Sequence, residues 1–311
     1  MALRMTRAVV VAFCALALTT AGCGGDVDSA GTASTAHSTA HSTALSTTAA
    51  KPPERQSVTF IAEDFAFGGP TSVRSGYVDV EVENKGKEPH QVLLARLPDG
   101  ATAESLNEKL AANDYADLAA ATLVGGPQGA GPGAKASATV KLDPGSYAVL
   151  CLIPSESDGV AHNAKGMFAA LEVTPVEGPQ AAEPEPVATI KLKDFSFDVP
   201  ADLPVDGTVA VVNEGTQAHE LIYYPIVEGR TLDDVKAYML TPPGAAAPAG
   251  PPPIDLTGGG GVTGLSTGVT SWIELDMKPG RYVFVCYYPD PEQSNLPHAL
   301  EGMLSEVTVS A

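Results

Sequence analysis

The chain contains two copies of one sequence pattern, and this duplication constrains the fold more than any other feature. Three blocks correspond in the same order: ENKGKEPHQVLLARL (83–97) with NEGTQAHELIYYPI (213–226), LDPGSYAVLCLIP (142–154) with MKPGRYVFVCYYP (277–289), and HNAKGMFAALEVT (162–174) with HALEGMLSEVTVS (298–310). Each copy is too long for a solenoid repeat. We therefore predict two homologous domains, 57–175 and 188–311, joined by a Pro- and acid-rich linker at 176–187.

Each copy consists mostly of short β-rich segments bounded by Gly, Pro, Asn or Asp, which are typical of strands. The predicted strands are 58–62, 77–82, 91–96, 136–142, 147–152 and 168–173 in the first copy, and 189–192, 208–212, 220–224, 269–275, 282–287 and 304–309 in the second. Such strands with turn signals predict an all-β fold, an antiparallel sandwich or barrel in each domain.

One short helical insertion interrupts the strands of each copy. We predict helices at 103–112, extending as far as residue 118, and at 232–240, where Thr231 and Asp234 have the spacing of a capping box. The Gly-rich segments 125–135 and 258–268 lack the Gly-Lys-Ser/Thr ending of a phosphate-binding loop and lead into strands. We predict that both are plain loops.

The first residues have the features of a targeting segment. Arg4 and Arg7 precede an apolar run at 8–18, which is too short to span a bilayer, and small residues lead to Cys23. We therefore predict a signal peptide at 1–22. A cysteine directly after Ala-Gly resembles a bacterial lipoprotein signal, which implies lipidation of Cys23. The alternative is plain secretion after a nearby cleavage.

The composition and the net charge of the chain indicate where it is located and which partners it can bind. The segment 23–56 is rich in Ser, Thr and Ala and cannot form a core, so it is predicted to be a disordered tether. The chain has 37 acidic and 18 basic residues, a net charge of −19, which argues against binding nucleic acid. We expect an extracytoplasmic protein that is attached to the bacterial cell membrane through an N-terminal lipid.

Cysteine, histidine and methionine are scarce beyond the tether, and four of them occur at equivalent positions of each copy. They are His90, Cys151, His162 and Met167 in the first copy, and His219, Cys286, His298 and Met303 in the second. Two imidazoles, a thiolate and a weak axial thioether are the ligands of a type 1 copper centre, which transfers electrons. Structural zinc favours Cys and His without thioether. The sequence therefore predicts up to two type 1 copper sites.

Other interpretations of these residues stay open at this point. Cys151 and Cys286 could form a disulfide in an oxidising compartment, although strand alternation places both on inward faces. They could also be inert buried cysteines beside unconnected histidines. Zinc could occupy the same pockets in place of copper.

The N-x-G…P-H start and the G-x-Y-x-x-x-C-x-x-P…H-x-x-x-G-M end of the first copy resemble the cupredoxins, the plastocyanin and azurin superfamily, and the second copy keeps most of this pattern. The resemblance covers most of the chain beyond the tether. It implies a Greek-key β-sandwich in each domain, with the first His on an inner strand and Cys, His and Met on a C-terminal loop.

The chain departs from small cupredoxins in two respects. Residues 152–161 lie between the Cys and the second His in one copy, and residues 287–297 lie between them in the other. This spacing is longer than in small cupredoxins and resembles that of the copper nitrite reductases. Gln91 and Glu220 follow the first His, where the family often has Asn or Ser to brace the Cys loop.

The resemblance implies an electron carrier or copper-binding protein with a redox partner protein, and not a catalyst. Nitrite reductases and multicopper oxidases of this superfamily need histidines for a further copper, but Leu150 and Val285 precede the cysteines and every histidine beyond the tether is already assigned. A metal-free cupredoxin-like protein with a binding or structural role in the envelope is the alternative.

Overall fold

The computed structural model describes residues 53–241 and 248–310. The predicted signal peptide, Cys23 and residues 23–52 of the tether lie outside these residues. The first strand begins at Gln56, the last residue of the predicted tether and one residue before the predicted start of the first domain. Over the described ranges, no helix has the length and apolar character needed to cross a membrane.

Each copy is built from strands with one helical insertion. The strands of the first copy are β1 Gln56–Glu63, β2 Ala66–Gly68, β3 Ser72–Arg74, β4 Gly76–Asn84, β5 Leu93–Arg96, β6 Thr122–Gly125, β7 Lys135–Leu142, β8 Gly145–Leu150 and β9 Phe168–Thr174, with helices α1 Ala103–Ala111 and α2 Ala116–Ala120. Those of the second are β10 Ala188–Lys193, β11 Ser196–Asp198, β12 Asp206–Asn213, β13 His219–Pro225, β14 Gly260–Leu265, β15 Thr270–Asp276, β16 Gly280–Val285, β17 Pro289–Asp290, β18 Leu296–Pro297 and β19 Leu304–Val309, with helix α3 Leu232–Met239.

The strands form two large sheets to which both copies contribute. One sheet has the order β11-β10-β12-β15-β7-β4-β1-β2, and the other has the order β19-β16-β13-β14-β6-β5-β8-β9-β3. The predicted all-β architecture of two tandem sandwiches with helical insertions is confirmed. Most strand pairs are antiparallel, as expected, but β1 pairs parallel with β4, β10 with β12 and β3 with β9. Alternation in the sequence determines which residues share a face, but it does not determine strand direction.

The two copies meet strand to strand in both sheets. β7 pairs antiparallel with β15, and β6 pairs antiparallel with β14. Pro127 bridges Val262, its equivalent in the other copy, so the contact is close to two-fold symmetric. The described residues, 53–241 and 248–310, consequently belong to one compact unit. The predicted domain boundaries stay a prediction.

The core follows the predicted alternation. β4 alternates strictly between buried and half-buried residues, and its inward valines pack against Phe60, Tyr147 and Val149. Cys151 lies in this core and Cys286 in its counterpart. Both cysteines are free, so the structure contains no disulfide between them. α1 and α3 cover the opposite face of the second sheet with Leu106, Leu110 and Val235.

The helical insertions differ from the prediction in one detail. α3 occupies the predicted segment and begins with the predicted capping box, in which the Thr231 hydroxyl accepts from the Asp234 amide and the Asp234 carboxylate accepts from the Thr231 amide. The first insertion does not continue to residue 118 as one helix. It breaks at Asn113, which has a left-handed φ of 59°, and restarts as α2 after the Asp114 carboxylate accepts from the Ala116 amide.

The Gly-rich segment 258–268 was wrongly predicted to be a plain loop, because it contains β14 at the contact between the copies. Gly261 has a φ of +136°, and a Cβ there would collide with the carbonyl oxygen of Leu221 on β13. Gly126, its equivalent in the first copy, approaches the carbonyl oxygen of Val92 in the same way. Glycine at these positions allows close backbone approach.

We expect Gly261→Ala to lower the free energy of unfolding by about 2–4 kcal/mol, because the added Cβ must displace β13 and the left-handed φ becomes strained. Urea unfolding followed by far-UV circular dichroism measures the change. Gly131→Ala is the control, since a Cβ there has no neighbour within 4 Å. Equal stability of the two variants would contradict the close approach at Gly261.

Candidate metal centres

The histidines and the cysteine of each copy come together in the folded chain. In the first centre, Nδ1 of His90 lies 3.1 Å from Nδ1 of His162, and Sγ of Cys151 lies 3.4 Å from Nδ1 of His162. All three donor atoms lie within 4.8 Å of one another, and all three side chains are buried.

The second centre repeats this geometry. Nδ1 of His219 lies 2.9 Å from Nδ1 of His298, and Sγ of Cys286 lies 3.5 Å from the same atom of His298. The donor atoms again lie within 4.8 Å of one another and are buried. The structure thus gathers both predicted His-Cys-His sets, while metal binding by them stays a prediction.

Short backbone connections position the ligands of the first centre. Cys151 follows the end of β8, and its amide donates to the carbonyl of Met167, which directly precedes β9. The amide of Met167 donates to the carbonyl of His162. His90 precedes β5 and exchanges two backbone hydrogen bonds with Ala130.

Both methionines lie in the same cores as the cysteines. Met167 is fully buried in the cluster that contains Cys151, and Met303 is fully buried in the cluster that contains Cys286. The amide of Cys286 donates to the carbonyl of Met303, as in the first copy. Each methionine is therefore held next to the cysteine of its own copy by the backbone, within the same core.

The long interval between Cys and the second His closes because its middle residues form a side excursion. In the first copy, the His162 amide donates to the carbonyl of Ile153, so the chain has returned next to the cysteine before the histidine. In the second copy, β17 and β18 pair as a small ribbon, and the His298 amide donates to the carbonyl of Tyr288. The extra residues therefore do not widen the centre.

An acceptor outside the centre binds the outer nitrogen of each imidazole. In the first centre, Nε2 of His90 lies 2.8 Å from a carboxylate oxygen of Asp64, and Nε2 of His162 lies 3.0 Å from a carboxylate oxygen of Glu88. In the second, Nε2 of His219 lies 2.9 Å from Asp194, and Nε2 of His298 lies 3.2 Å from the Oε1 of Gln217.

Sequence analysis missed these four acceptors, although the duplication contains a signal for them. Asp64 and Asp194 both begin an Asp-Phe-x-Phe motif, and Glu88 and Gln217 both stand two residues before the first His. Such contacts fix the orientation of metal-ligating imidazoles in proteins.

The charge state of the acceptors shows which imidazole nitrogen carries the proton. Burial alone would raise the pKa of Asp194, but hydrogen bonds from His219, Thr216 and Gln217 outweigh it and lower the pKa to about 2. Asp64 and Glu88 likewise have lowered pKa values, because their hydrogen bonds outweigh desolvation. An ionised carboxylate only accepts hydrogen bonds, so the outer Nε2 is the protonated nitrogen.

The inner nitrogens of each centre therefore suit a bound cation. Desolvation lowers the pKa of His162 and lowers that of His298 to about 4, so these rings are neutral near pH 7. A neutral ring that carries its proton on Nε2 presents a lone pair at Nδ1. The two Nδ1 atoms lie 3.1 Å apart in the first centre and 2.9 Å apart in the second, beside the cysteine sulfur, so both imidazoles present their inner nitrogens to one point where a cation could bind.

The thiols are neutral in the absence of a metal. Desolvation raises the pKa of Cys151 to about 12 and raises that of Cys286 well above its usual value. Metal binding at either centre would therefore release the thiol proton.

The Asn-x-Gly motif before the first His has a structural role that the sequence did not reveal. The side-chain amide of Asn84 donates to the carbonyls of Glu88 and Ala130, and its oxygen accepts from the Gly86 amide. A Cβ on Gly86 would collide with the carboxylate of Asp64 and lie 2.7 Å from Nε2 of His90. Asn213 and Gly215 repeat these contacts in the second copy.

The helical insertions hold the ligand loops. Nδ2 of Asn163, next to His162, donates to Oδ1 of Asn107 on α1 at 3.0 Å. In the second copy, the Tyr287 hydroxyl, next to Cys286, donates to the carbonyl of Met239 on α3 at 2.9 Å. Each insertion therefore steadies the loop that carries the ligands of its own copy.

The surroundings of the centres differ at one position in the ligand loop. Lys165 in the first copy pairs with Asp158 at 2.8 Å and lies over the ring of Phe65. Glu301 takes its place in the second copy and lies near the buried Asp290 and His298. The second centre thus has more acidic surroundings than the first.

No family model and no curated protein matches the chain. Among solved structures, it is similar to reduced auracyanin of Roseiflexus castenholzii (22% identity, 40% of this chain and 96% of that chain, TM-score 0.25). It is also similar to auracyanin A of Chloroflexus aurantiacus, described as a blue copper protein (16%, 39% and 100%, TM-score 0.28). The copper-containing nitrite reductase of Thermus scotoductus aligns over 84% of this chain and 69% of that chain at 16% identity, with a TM-score of 0.21.

The fold class rests on the strand order and the ligand positions, since all three TM-scores are low. Each copy is a two-sheet sandwich with its first His beside an inner strand and its Cys, His and Met around the connection into the last strand. This is the arrangement that the resemblance implied. The chain has a tandem cupredoxin-like fold.

We expect Asp64→Asn to weaken copper binding at the first centre about 10–100-fold, because the amide is a poorer acceptor for the His90 N–H. Competition titration with a copper chelator in a Cys286→Ala background measures the first centre alone. Asp194→Asn in the same background is the matched control and should leave the affinity unchanged. Equal affinities of the two variants would contradict a role for Asp64.

Proposed function

We propose that the chain binds one copper ion at each centre and carries electrons at the outer face of the bacterial cell membrane, held there by a lipid on Cys23. The observation that carries this proposal is the close approach of two imidazole Nδ1 atoms and a cysteine sulfur in each copy. A bound copper would supply a one-electron couple.

The donor set favours copper over zinc. Each centre offers two imidazole nitrogens and a sulfur, with a fully buried methionine in the same core. Soft thioether and thiolate donors suit copper, whereas structural zinc sites are closed by Cys and His alone. The imidazoles are held from outside by Asp64, Glu88, Asp194 and Gln217, so the ligands stay in place when the charge of the metal changes.

Burial of the ligands supports electron transfer and not catalysis. The four histidines, both cysteines and both methionines are 0% exposed. A substrate has no direct access to such a centre, whereas an electron needs no open coordination position. All histidines beyond the tether belong to the two centres, so the chain has none left for a second type of copper.

Attachment to the envelope is supported by the sequence. The basic start, the short apolar run and the Ala-Gly-Cys ending describe a lipoprotein signal. The acidic chain would suit a basic redox partner protein, since complementary charge accelerates association.

Reconstitution of the full-length chain with Cu(II) in detergent tests the proposal. We expect a strong visible thiolate-to-copper absorption and about two coppers per chain. Cys151→Ala and Cys286→Ala should each remove about half of the absorption, because each variant removes the thiolate of one centre. A colourless protein without tight copper would overturn the proposal and favour a metal-free binding or structural role.

Lipid attachment is tested by Cys23→Ala in bacterial cells. We expect the native chain to fractionate with membranes and to release with detergent, and the variant to be soluble outside the cytoplasm or to stay unprocessed. Cys14→Ala is the control, since Cys14 lies within the predicted signal peptide and should leave membrane attachment unchanged. Membrane fractionation of Cys23→Ala equal to that of the native chain would contradict lipidation.

A further inference from the structure

A buried polar contact joins the first copy to the second metal centre. Gln128, on the loop after β6, is 3% exposed, and its Nε2 donates to Oε2 of Glu220 at 3.0 Å. Glu220 is 8% exposed and follows His219. A buried amide and a buried carboxylate each need a partner, so this contact is part of the folded interface.

Glu220 touches the second centre in two ways. Its backbone amide donates to Sγ of Cys286 at 3.4 Å. Its Oε1 accepts from the amide of Tyr287 at 3.0 Å. Tyr287 is the residue after the cysteine, so the carboxylate of Glu220 restrains the backbone on one side of Sγ while its amide contacts the sulfur itself.

The near two-fold symmetry of the interface provides an internal comparison. Thr263 of the second copy stands where Gln128 stands in the first: the Gln128 amide donates to the carbonyl of Gly261, and the Thr263 amide donates to that of Gly126. The Thr263 hydroxyl, however, donates to the backbone carbonyl of Val92 at 3.1 Å. The short threonine thus bonds a main-chain group two residues beyond His90.

We propose that Gln128 is a positioning residue of the second metal centre, so that this centre is built by both copies, whereas Thr263, the equivalent residue, bonds backbone carbonyls of the first copy. The inference rests on the proposed copper function. Gln128 holds the Glu220 carboxylate in the orientation in which it accepts the Tyr287 amide, and thereby fixes the hydrogen-bonding environment of Cys286.

The contact between Gln128 and Glu220 affects the reduction potential of the second centre. Hydrogen bonds around the cysteine sulfur tune the reduction potential of a type 1 copper. Removal of the Gln128 amide leaves Oε2 of Glu220 buried without its partner, and the carboxylate must reorient. The two centres therefore differ in reduction potential, and the difference depends on Gln128.

The test isolates one centre at a time in the full-length chain. In a Cys151→Ala background, Gln128→Met keeps the side-chain volume and removes the donor. We expect a shifted visible band and a shifted reduction potential at the second centre, with copper affinity about 10-fold lower or more. In a Cys286→Ala background the same substitution should leave the first centre unchanged. Thr263→Val, which also removes a buried interface hydrogen bond, should leave the second centre unchanged.

An unchanged second centre in Gln128→Met would overturn the proposal. Equal changes at both centres would overturn it as well, since the substitution would then act through the whole interface. If Gln128→Met does not fold, Gln128→Asn withdraws the amide by one methylene and is judged by the same outcomes.

A copper-free measurement separates this proposal from the proposed function. In ¹H–¹⁵N spectra of the metal-free chain, Gln128→Met should move the amide signal of Tyr287 and leave that of Leu152, its equivalent in the first copy, in place. A parent chain that binds no copper would refute the function but leave this result to decide the positioning. An unmoved Tyr287 signal would refute the positioning even in a chain that binds copper.

Discussion

Both centres depend on how each imidazole divides its two nitrogens between the core and the surroundings. The outer Nε2 is held by Asp64, Glu88, Asp194 or Gln217, and the inner Nδ1 atoms therefore face each other across 3.1 Å and 2.9 Å. The four histidines and both cysteines are fully buried in the sandwich, so each donor set is enclosed by the fold itself.

The duplication produced two centres that are alike in ligands and unlike in surroundings. Both sheets run through the contact between the copies, and Gly126 and Gly261 allow the close backbone approach there. Across this contact the Gln128 side chain bonds the Glu220 carboxylate, whereas the Thr263 hydroxyl bonds the backbone carbonyls of Val92 and Gly126. The side-chain contacts between the two copies thus differ, whereas the histidine and cysteine positions are the same in both.

Comparison of the two copies predicted most of the fold and which histidines and cysteine come together in each copy, because each block could be checked against its partner. It missed Asp64 and Asp194, since acids in a short hairpin look like ordinary surface residues until the fold places them against an imidazole. It also mistook β14 for a loop, because glycine is depleted in strands and the need for close approach to Leu221 exists only in the folded interface. Strand direction and the partner of Gln128 are set by long-range contacts that no local pattern encodes.

The central claim is that each copy holds a preformed copper site between its two Nδ1 atoms and its cysteine sulfur. Diffraction from copper-loaded crystals of the full chain, recorded at the copper absorption edge, tests it most directly. The account predicts two anomalous peaks, one bonded to His90, Cys151 and His162, and one bonded to His219, Cys286 and His298. Peaks only at surface carboxylates or at the tether histidines, with both centres empty, would contradict it.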